Sequence, residues 1–543
     1  MTTDTAVGAR ASGTLAGTGP MLRFHLRRLR LYLVFWFLGL VGFMGMIGPA
    51  LLDLYPDQAG RDAYAASLDS AAGLAMTGPR TYVEDYTAAA MIVHNSLLWV
   101  AGVFAVMMIL LVVRLTRADE ETSRLEVVRS QPVGRRSDLF SAVIVSVLVS
   151  ALMAAAMALV LMPVEGVSAG QALLFGASVG ACGLVFAAVT AVAAQLGSFA
   201  STSRGLAFAA LGLSFLLVMS GNANEGAALW ASPLGWSEAT YVGTGEQQWW
   251  PLAVSAAVAV VLFAVAFALV AKRDFGQGMI AQRKGRAEAK ASLKSVRALA
   301  FRLNRGLAIG AAVTMVLLAS AYGSIWGDAQ SFIDSMSETQ REVLSQGQSD
   351  PLDGFALAIL LVGSVAAMIF GIMAVGRARK EETEGGGEVL ASLPVSRAQW
   401  PGVHYVVAQL IGTVAVVVFG LSVGAMAAST SGEDQWFEKL FTGSLIHLPA
   451  VWIVTALAYA LYAWAPSLGF LRWLPLLLIF VLDYFGPLLD APEWLLGLSP
   501  IHHVPSYPAE EVTWAPLAVL TLVAVALTVI GYLGARRRNL QFS

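Results

Sequence analysis

Long apolar runs alternate with short polar segments along the whole chain. Twelve runs are long enough to cross a bilayer as helices, since about 20 apolar residues span a hydrocarbon core of about 30 Å. They lack the alternation that is typical of outer-membrane strands. The pattern therefore predicts an all-α polytopic membrane protein with 12 transmembrane helices, the shortest of them (205–220) tilted or broken. The predicted spans are residues 31–52, 89–113, 139–163, 171–196, 205–220, 251–271, 307–327, 355–376, 404–428, 441–465, 471–490 and 515–535.

Composition excludes several other classes of protein. The 543 residues are 57% hydrophobic and 13% charged, whereas soluble domains carry about 25% charged residues. This balance excludes a soluble enzyme, a disordered protein and a collagen-like chain. Cys182 is the single cysteine, so the chain has no intrachain disulfide framework, and the net charge of -2 gives no indication of a nucleic-acid partner. Residues 1–20 are expected to be disordered, and the first run is too long for a cleaved signal peptide.

The positions of Lys and Arg predict the orientation of the chain in the membrane. If the N-terminus is cytoplasmic, all but four of the 34 basic residues fall in inner segments. The four outer ones are Arg61, Arg80, Arg341 and Lys439. Because basic residues concentrate on the cytoplasmic side, both termini are expected inside, in a bacterial plasma (inner) membrane.

An internal repeat divides the chain into two parallel halves. At a fixed offset of 262, Arg117–Arg135 aligns without a gap with Arg379–Arg397, and 8 of the 19 positions are identical. Further landmarks recur in the same order: Ser232-Pro233-Leu234 with Ser499-Pro500-Ile501, Lys272–Phe275 with Arg537–Leu540, and Leu26–Arg30 with Phe301–Arg305. The repeat predicts two six-helix halves related by a pseudo-two-fold axis along the membrane normal. The predicted parts are a disordered N-terminus (1–20), a first permease half (21–275), a linker (276–290) and a second permease half (291–543).

The repeated loops carry acidic as well as basic residues. Their spacing favours a short helix with internal ion pairs, which Pro132 ends in the first copy. Such a helix suits docking onto a soluble partner, although a solvated turn with basic residues at the inner surface is the simpler alternative. The second copy has Gly385-Gly386-Gly387 in this helix, so the two docking sites are not expected to be equivalent. The basic amphipathic segments that precede spans one and seven have the pattern of helices lying in the membrane interface.

These features together resemble the type 2 ABC transporter permeases, and among them the fused twelve-span exporters of polyketide antibiotics (tetronasin-type permeases). The loop motifs carry the resemblance, supported by Ser232–Trp236 and Ser499–His503. The resemblance implies a coupling helix after the second span of each half and short extracytoplasmic helices between the fifth and sixth spans. The residues expected to couple the chain to an ATPase are Asp119, Glu120, Glu121, Glu126, Pro132, Arg135, Glu381, Glu382, Glu388, Pro394 and Arg397.

The chain itself lacks the means to hydrolyse ATP. It contains no G-x-x-x-x-G-K-[ST] phosphate loop, and its longest cytoplasmic segment, 272–306, is too short for an ATPase domain. We therefore expect no enzymatic activity and no cofactor bound by this chain. ATP and Mg would be bound by two copies of a separate ABC ATPase subunit. The expected substrate is a hydrophobic or amphipathic small molecule.

The predicted spans contain several ionisable residues. Asp483, His94 and His447 are candidates for the transport pathway, because a charge in the bilayer centre costs at least about 2.5–3.5 kcal/mol and marks functional sites. Asp483 is also compatible with the outer surface, and both histidines with ordinary packing. No His, Cys or Glu spacing indicates a metal site.

Two other functions are compatible with these patterns. A proton-coupled secondary drug antiporter also has twelve spans in parallel halves. Proteins of that class do not usually contain two acidic coupling loops. A lipid-handling membrane subunit or a membrane scaffold is the other alternative. The sequence does not identify the substrate.

Overall fold

The computed structural model describes residues 14–69, 71–121, 134–224, 226–273, 277–280, 288, 293–328, 351–383, 396, 398–466, 468–469, 471–479, 482–483 and 492–538. Within these residues the chain is helical and has no strands. It divides into two compact units, Met1–Gly285 and Arg286–Ser543. The predicted all-α fold is therefore confirmed.

Within its described residues, unit 1 contains six helices long enough to span a membrane and five short ones. The helices are α1 (Thr18–Leu54), α2 (Gln58–Leu68), α3 (Ala71–Thr77), α4 (Thr81–Glu84), α5 (Ala88–Leu115), α6 (Arg117–Glu121), α7 (Ser137–Leu161), α8 (Ala169–Leu196), α9 (Ala200–Asn224), α10 (Pro233–Glu238) and α11 (Trp250–Lys272), with a 3-10 turn at Ala227–Ala231. Helices α5 and α8 lie in the centre, where most of their side chains are buried.

Unit 2 contains α12 (Val296–Ile325), α13 (Pro351–Thr383), α14 (Gln399–Ser431), α15 (Gln435–Ile446), α16 (Leu448–Trp464), α17 (Leu474–Ile479), α18 (Glu493–Leu496) and α19 (Trp514–Arg537). Its 3-10 turns are Trp326–Asp328 and Leu471–Trp473. Helices α15 and α16 together form one span, which breaks at His447 because Pro449 has no N–H to donate to the preceding turn.

The described residues contain 11 helices that are long and apolar enough to cross a membrane. Their outward faces are strongly apolar: Leu31 is 76% exposed on α1, and Leu522 is 68% exposed on α19. Apolar faces of this extent are suited to lipid, where every backbone polar group must be satisfied within the helix. The chain is therefore a multi-pass membrane protein. The remaining predicted span, 471–490, is described only at 471–479 and 482–483, so the count of twelve stays a prediction.

Close helix packing in unit 1 depends on glycine. A Cβ atom on Gly176 of α8 would lie 2.1 Å from the carbonyl oxygen of Ala154 on α7, and one on Gly183 would lie 2.1 Å from the ring of Phe104 on α5. Gly176 and Gly180 form a G-x-x-x-G pair, which lets helix backbones approach closely where lipid provides no hydrophobic driving force. The central helix α8 is thereby packed closely against α5 and α7.

Two details differ from the sequence predictions. The fifth span is neither short nor broken, because α9 is one helix of 25 residues. The basic segments before spans one and seven do not form separate interfacial helices. Met21–Arg30 continues without a break into the rest of α1, since no proline or glycine separates them, and Phe301–Arg305 lies inside α12. At 1.5 Å per residue, the 37 residues of α1 are about 55 Å long, more than a bilayer core requires.

Candidate functional site

Each unit contains a buried glutamate held between two arginines, close to where the second predicted span ends. We call Arg117, Glu120 and Arg273 the first cluster, and Arg379, Glu382 and Arg538 the second cluster. The glutamate side chains are 4% and 0% exposed. In the repeat alignment, Arg117 corresponds to Arg379 and Glu120 corresponds to Glu382. The two clusters are therefore corresponding sites.

In the first cluster, Glu120 joins the short helix α6 to the end of the last helix of the unit. Arg117 Nη1 donates to Glu120 Oε2 at 2.5 Å. Arg273, just after α11, donates from Nη2 to Oε1 at 2.5 Å and from Nη1 to Oε2 at 3.1 Å. Paired bonds between a guanidinium and a carboxylate are among the strongest hydrogen bonds in proteins and fix the relative orientation of the two groups.

The two arginines of the first cluster also bind the end of α8. Arg117 Nε donates to the carbonyl oxygen of Ala194 at 2.8 Å, and Arg273 Nε donates to Gln195 Oε1 at 2.8 Å. The last carbonyl groups of a helix have no partner within the helix, and positive charge there is favourable. Both guanidinium groups also donate to the carbonyl oxygen of Gln277. The first cluster thus ties α6 to two membrane helices.

The acids on either side of Glu120 extend these connections to further helices. Arg28 Nη1 on α1 donates to Asp119 Oδ2 at 2.7 Å. The backbone N–H of Ala200, the first residue of α9, donates to Glu121 Oε2 at 3.2 Å. Arg135 donates to the carbonyl oxygen of Arg273. Three consecutive acids, Asp119 to Glu121, therefore contact three different membrane helices or their ends.

A break in the helix makes this divergence possible. Helix α5 ends at Leu115, and Thr116 leaves the helical region with φ -120 and ψ -91. The Thr116 hydroxyl donates to the carbonyl oxygen of Val112 at 2.7 Å, which offers the backbone an alternative to a continued helix. Helix α6 then starts at Arg117.

The second cluster has the same centre but different neighbours. Arg379 Nη1 donates to Glu382 Oε2 at 3.4 Å, and Arg538, just after α19, donates to both oxygens of Glu382. The hydroxyl of Tyr462 on α16 also donates to Glu382, and Arg538 Nη1 donates to the Tyr462 carbonyl oxygen at 3.1 Å. Helix α13 runs through this site without a break, and Glu381 pairs with Arg377 of the same helix at 3.1 Å.

The predicted coupling residues thus fall into two groups. Asp119, Glu120 and Glu382 are buried, whereas Glu121 and Arg135 are exposed and Glu381 is half-buried. All six bind other residues of their own unit. Glu126, Pro132, Glu388, Pro394 and Arg397 lie outside the described residues. The structure contains this chain alone and does not test contact with an ATPase, so the coupling role stays a prediction.

The three predicted pathway residues do not lie in these clusters. His94 on α5 is buried, stacks on Tyr82 and shares a hydrogen bond of 3.2 Å with the Tyr86 hydroxyl. His447 is buried at the break between α15 and α16, where its Nδ1 lies 2.7 Å from the Gly443 carbonyl oxygen. Asp483 is half-buried and accepts from the Ser499 hydroxyl. Their role in transport stays a prediction.

Arg117 and Arg379 recur in the repeat but were not among the predicted site residues. Four further partners of the acidic residues were not predicted either: Arg28, Arg273, Tyr462 and Arg538. The repeat contained a signal for two of them, since the segments around Arg273 and Arg538 correspond. Nothing local in the sequence indicates Arg28 or Tyr462. Among the described residues, no group of three or more His, Cys, Asp or Glu side chains could hold a metal ion.

Comparison with known proteins agrees with this architecture. The family model described as "Multidrug efflux system permease Rv1217c, C-terminal domain" matches residues 19–270 and 293–536, one segment in each unit. The chain is also 35% identical over 541 residues to the multidrug efflux system permease protein Rv1217c of Mycobacterium tuberculosis (strain ATCC 25618 / H37Rv), covering 98% of this chain and 96% of that protein. From this match over nearly the whole of both chains, we conclude that the protein belongs to the multidrug efflux system permease family.

Proposed function

We propose that this chain is the membrane-spanning permease subunit of an ATP-driven exporter of hydrophobic or amphipathic compounds such as antibiotics and drugs. Within its family we assign it to the fused twelve-span, tetronasin-type permeases. The similar protein of M. tuberculosis is named a multidrug efflux system permease. The repeated acidic loops support the finer assignment, together with the short helix α10 after the fifth span of unit 1 and α18 at the corresponding place in unit 2.

The observation that carries the proposal is the pair of buried glutamates. Glu120, at the end of α6 beside the first repeated loop, forms an ion pair with Arg273 after α11. Glu382, at the end of α13 beside the second repeated loop, forms the corresponding ion pair with Arg538 after α19. Removing one partner of a buried ion pair costs about 3–5 kcal/mol. A force applied to either loop therefore reaches the last membrane helix of that unit without first breaking this contact.

Two such clusters in one chain correspond to two copies of a separate ABC ATPase. In this proposal the exposed Glu121 and Arg135 lie at the docking surface, and the buried Glu120 transmits the motion. The ATPase supplies ATP and Mg, and the permease supplies the path for the substrate. The clusters and both termini face the cytoplasm of a bacterial plasma membrane, as the distribution of Lys and Arg favours.

The energy source is the most decisive test of this proposal. Inverted membrane vesicles containing the permease, with and without a candidate partner ABC ATPase, are given a fluorescent lipophilic dye. We expect dye accumulation that needs ATP and both proteins, and that persists when a protonophore collapses the proton gradient. Accumulation that needs only the permease and stops with the protonophore would instead identify a proton-coupled antiporter.

A further inference from the structure

A buried carboxyl group in unit 1 plays no part in the clusters. Glu238 is the last residue of α10, outside the membrane-spanning helices, and only 1% of its surface is exposed. Asn222, near the end of α9, is equally buried and donates from Nδ2 to Glu238 Oε2 at 2.8 Å. The pair therefore joins the short helix α10 to the membrane helix α9.

One oxygen on each side chain of this pair has no hydrogen-bond donor among the described residues. Glu238 Oε1 and Asn222 Oδ1 are both acceptors, both are buried, and neither has a donor among the described residues. No Lys, Arg or His of the described chain forms an ion pair with Glu238. An isolated buried carboxylate is so costly that such a group takes up a proton instead. One proton on Glu238 supplies the missing donor, since a carboxylic acid and a primary amide can exchange two parallel hydrogen bonds.

The backbone is tightly packed at two glycines close to the pair. A Cβ atom on Gly235 would lie 2.1 Å from the carbonyl oxygen of Leu229, and one on Gly221 would lie 2.4 Å from the backbone nitrogen of Leu229. These glycines lie three residues before Glu238 and one before Asn222. A proton needs no cavity beside the two side chains, whereas a hydrated cation or an organic amine would need one.

The titratable groups that face Glu238 bring no positive charge to it. The Tyr82 hydroxyl of α4 donates to the Glu238 carbonyl oxygen at 3.4 Å, and His94 of α5 stacks on Tyr82 rather than on the carboxyl. Tyr241 follows on the same segment, and Cys182 of α8 contacts Ser237. In this setting burial raises the pKa of Glu238 to about 8, with the Asn222 hydrogen bond opposing the shift.

We propose that Glu238 and Asn222 form a proton-binding site, in which the protonated carboxyl donates to Asn222 Oδ1, and that separating α10 from α9 releases the proton. Separation exposes the carboxyl to water, which restores its ordinary acidity. By linkage, a low pH favours the arrangement in which the two helices are joined. The site is confined to unit 1: the alignment of Ser232-Pro233 with Ser499-Pro500 puts Pro505 at the position of Glu238.

Infrared titration of the purified full-length chain tests this site without an ATPase or a substrate, so its outcome is independent of the proposed function. Glutamate carrying ¹³C in the side-chain carboxyl separates the glutamic-acid band from that of aspartic acid. We expect a protonated-glutamate band at pH 7 that is lost in Glu238→Gln and unchanged in Glu246→Gln, an exposed neighbour on the same segment. An ionised Glu238 at pH 7, or ionisation that follows added Na⁺ or K⁺, would overturn the proposal.

Stability provides a second readout for the same site. Because the pKa of Glu238 is raised in the folded chain, its favourable contribution is complete below the ordinary carboxyl pKa of about 4.3 and is lost as the pH rises toward 8. We expect the thermal midpoint of the wild type to fall relative to that of Glu238→Gln over this range. Parallel pH profiles of the thermal midpoint in the two proteins would contradict a proton on Glu238.

If Glu238→Gln does not fold, Asn222→Leu replaces it in the infrared titration. The protonated-glutamate band should then persist but shift, because the carboxyl has lost its hydrogen-bond acceptor. An unshifted band would overturn the proposal.

Discussion

The first and second clusters have the same arginine–glutamate–arginine centre in different surroundings. In unit 1 the helix breaks at Thr116, and Asp119, Glu120 and Glu121 contact different helices. In unit 2 the helix is unbroken, and Glu381 pairs within it. The two units therefore keep the central ion pair while the contacts that support it diverge.

The sequence explains why unit 2 has fewer supports. Leu303 stands at the position of Arg28, and Thr383 at the position of Glu121, so neither contact of unit 1 can be formed by the corresponding residues. Among the described residues, no ion pair from α12 reaches Glu381. Tyr462 is instead the additional partner of Glu382. We infer that unit 2 depends more heavily on a single glutamate than unit 1 does.

The largest expected effect comes from neutralising the central glutamates. Glu382→Gln and Glu120→Gln each leave a buried arginine without its carboxylate, which should lower the free energy of unfolding by about 3–5 kcal/mol. Glu382→Gln should be the more severe, since Arg117 and Arg273 keep their bonds to the end of α8 in the other variant. Denaturant titration in detergent measures this difference, with the exposed Glu165→Gln as control. Equal losses would remove the asymmetry between the units.

A smaller effect is expected from the contact found only in unit 2. Tyr462→Phe removes the hydroxyl that donates to Glu382, and hydrogen bonds to charged groups contribute about 1.5–3 kcal/mol. The same denaturant titration measures the loss, and Tyr532→Phe, a half-exposed tyrosine on α19, is the matched control. No loss relative to this control would show that Arg379 and Arg538 satisfy Glu382 without the Tyr462 hydroxyl.

The contact between α1 and α6 in unit 1 should contribute less to the free energy of unfolding. Arg28→Leu introduces the residue that unit 2 has at this position and removes the Arg28–Asp119 pair, at a cost of about 1 kcal/mol for a partly exposed ion pair. Hydrogen exchange should become faster in α6, because its connection to α1 is lost. Arg27→Leu changes an exposed neighbour and should leave exchange unaltered. Identical exchange in the two variants would contradict a supporting role for Arg28.

The smallest effect on stability is expected at the exposed surface of the first cluster. Glu121→Lys should cost a few tenths of a kcal/mol up to about 1 kcal/mol, through loss of the bond to the Ala200 N–H at the start of α9. It should nevertheless reduce co-purification of the ATPase, because it reverses a charge at the proposed docking surface. Glu121→Gln keeps an acceptor for Ala200, and Glu165→Lys reverses an exposed charge elsewhere in unit 1. Full retention of the ATPase by Glu121→Lys would remove Glu121 from the docking surface.

The sequence predicted the helical fold well because membrane spans are encoded locally, in runs of about 20 apolar residues. It also found the glutamate of each cluster, since Glu120 recurs at a fixed offset as Glu382. Arg117 and Arg379 recur in the same way but were not predicted to be site residues. The second arginine of each cluster was missed because Arg273 and Arg538 lie 153 and 156 positions away from their glutamates. No local pattern indicates which of many basic residues at helix ends folds back onto an acid.

Two further features could not be predicted for a different reason. The burial of Glu238 depends on how α10 packs on α9, whereas in the sequence it resembles an ordinary polar residue of a connecting segment. The continuity of α1 was misjudged because a basic amphipathic pattern is the same whether the helix lies in the interface or extends a span. Both outcomes are decided by tertiary packing.

The most direct test of the account is the number of dye molecules exported per ATP hydrolysed. Wild type, Glu120→Gln and Glu382→Gln are each reconstituted with the ATPase in vesicles. We predict that both variants still bind the ATPase, since the exposed surface is intact, and that they export less dye per ATP, Glu382→Gln least of all. An unchanged ratio in both variants would contradict the claim that the buried glutamates transmit the motion of the loops to the membrane helices.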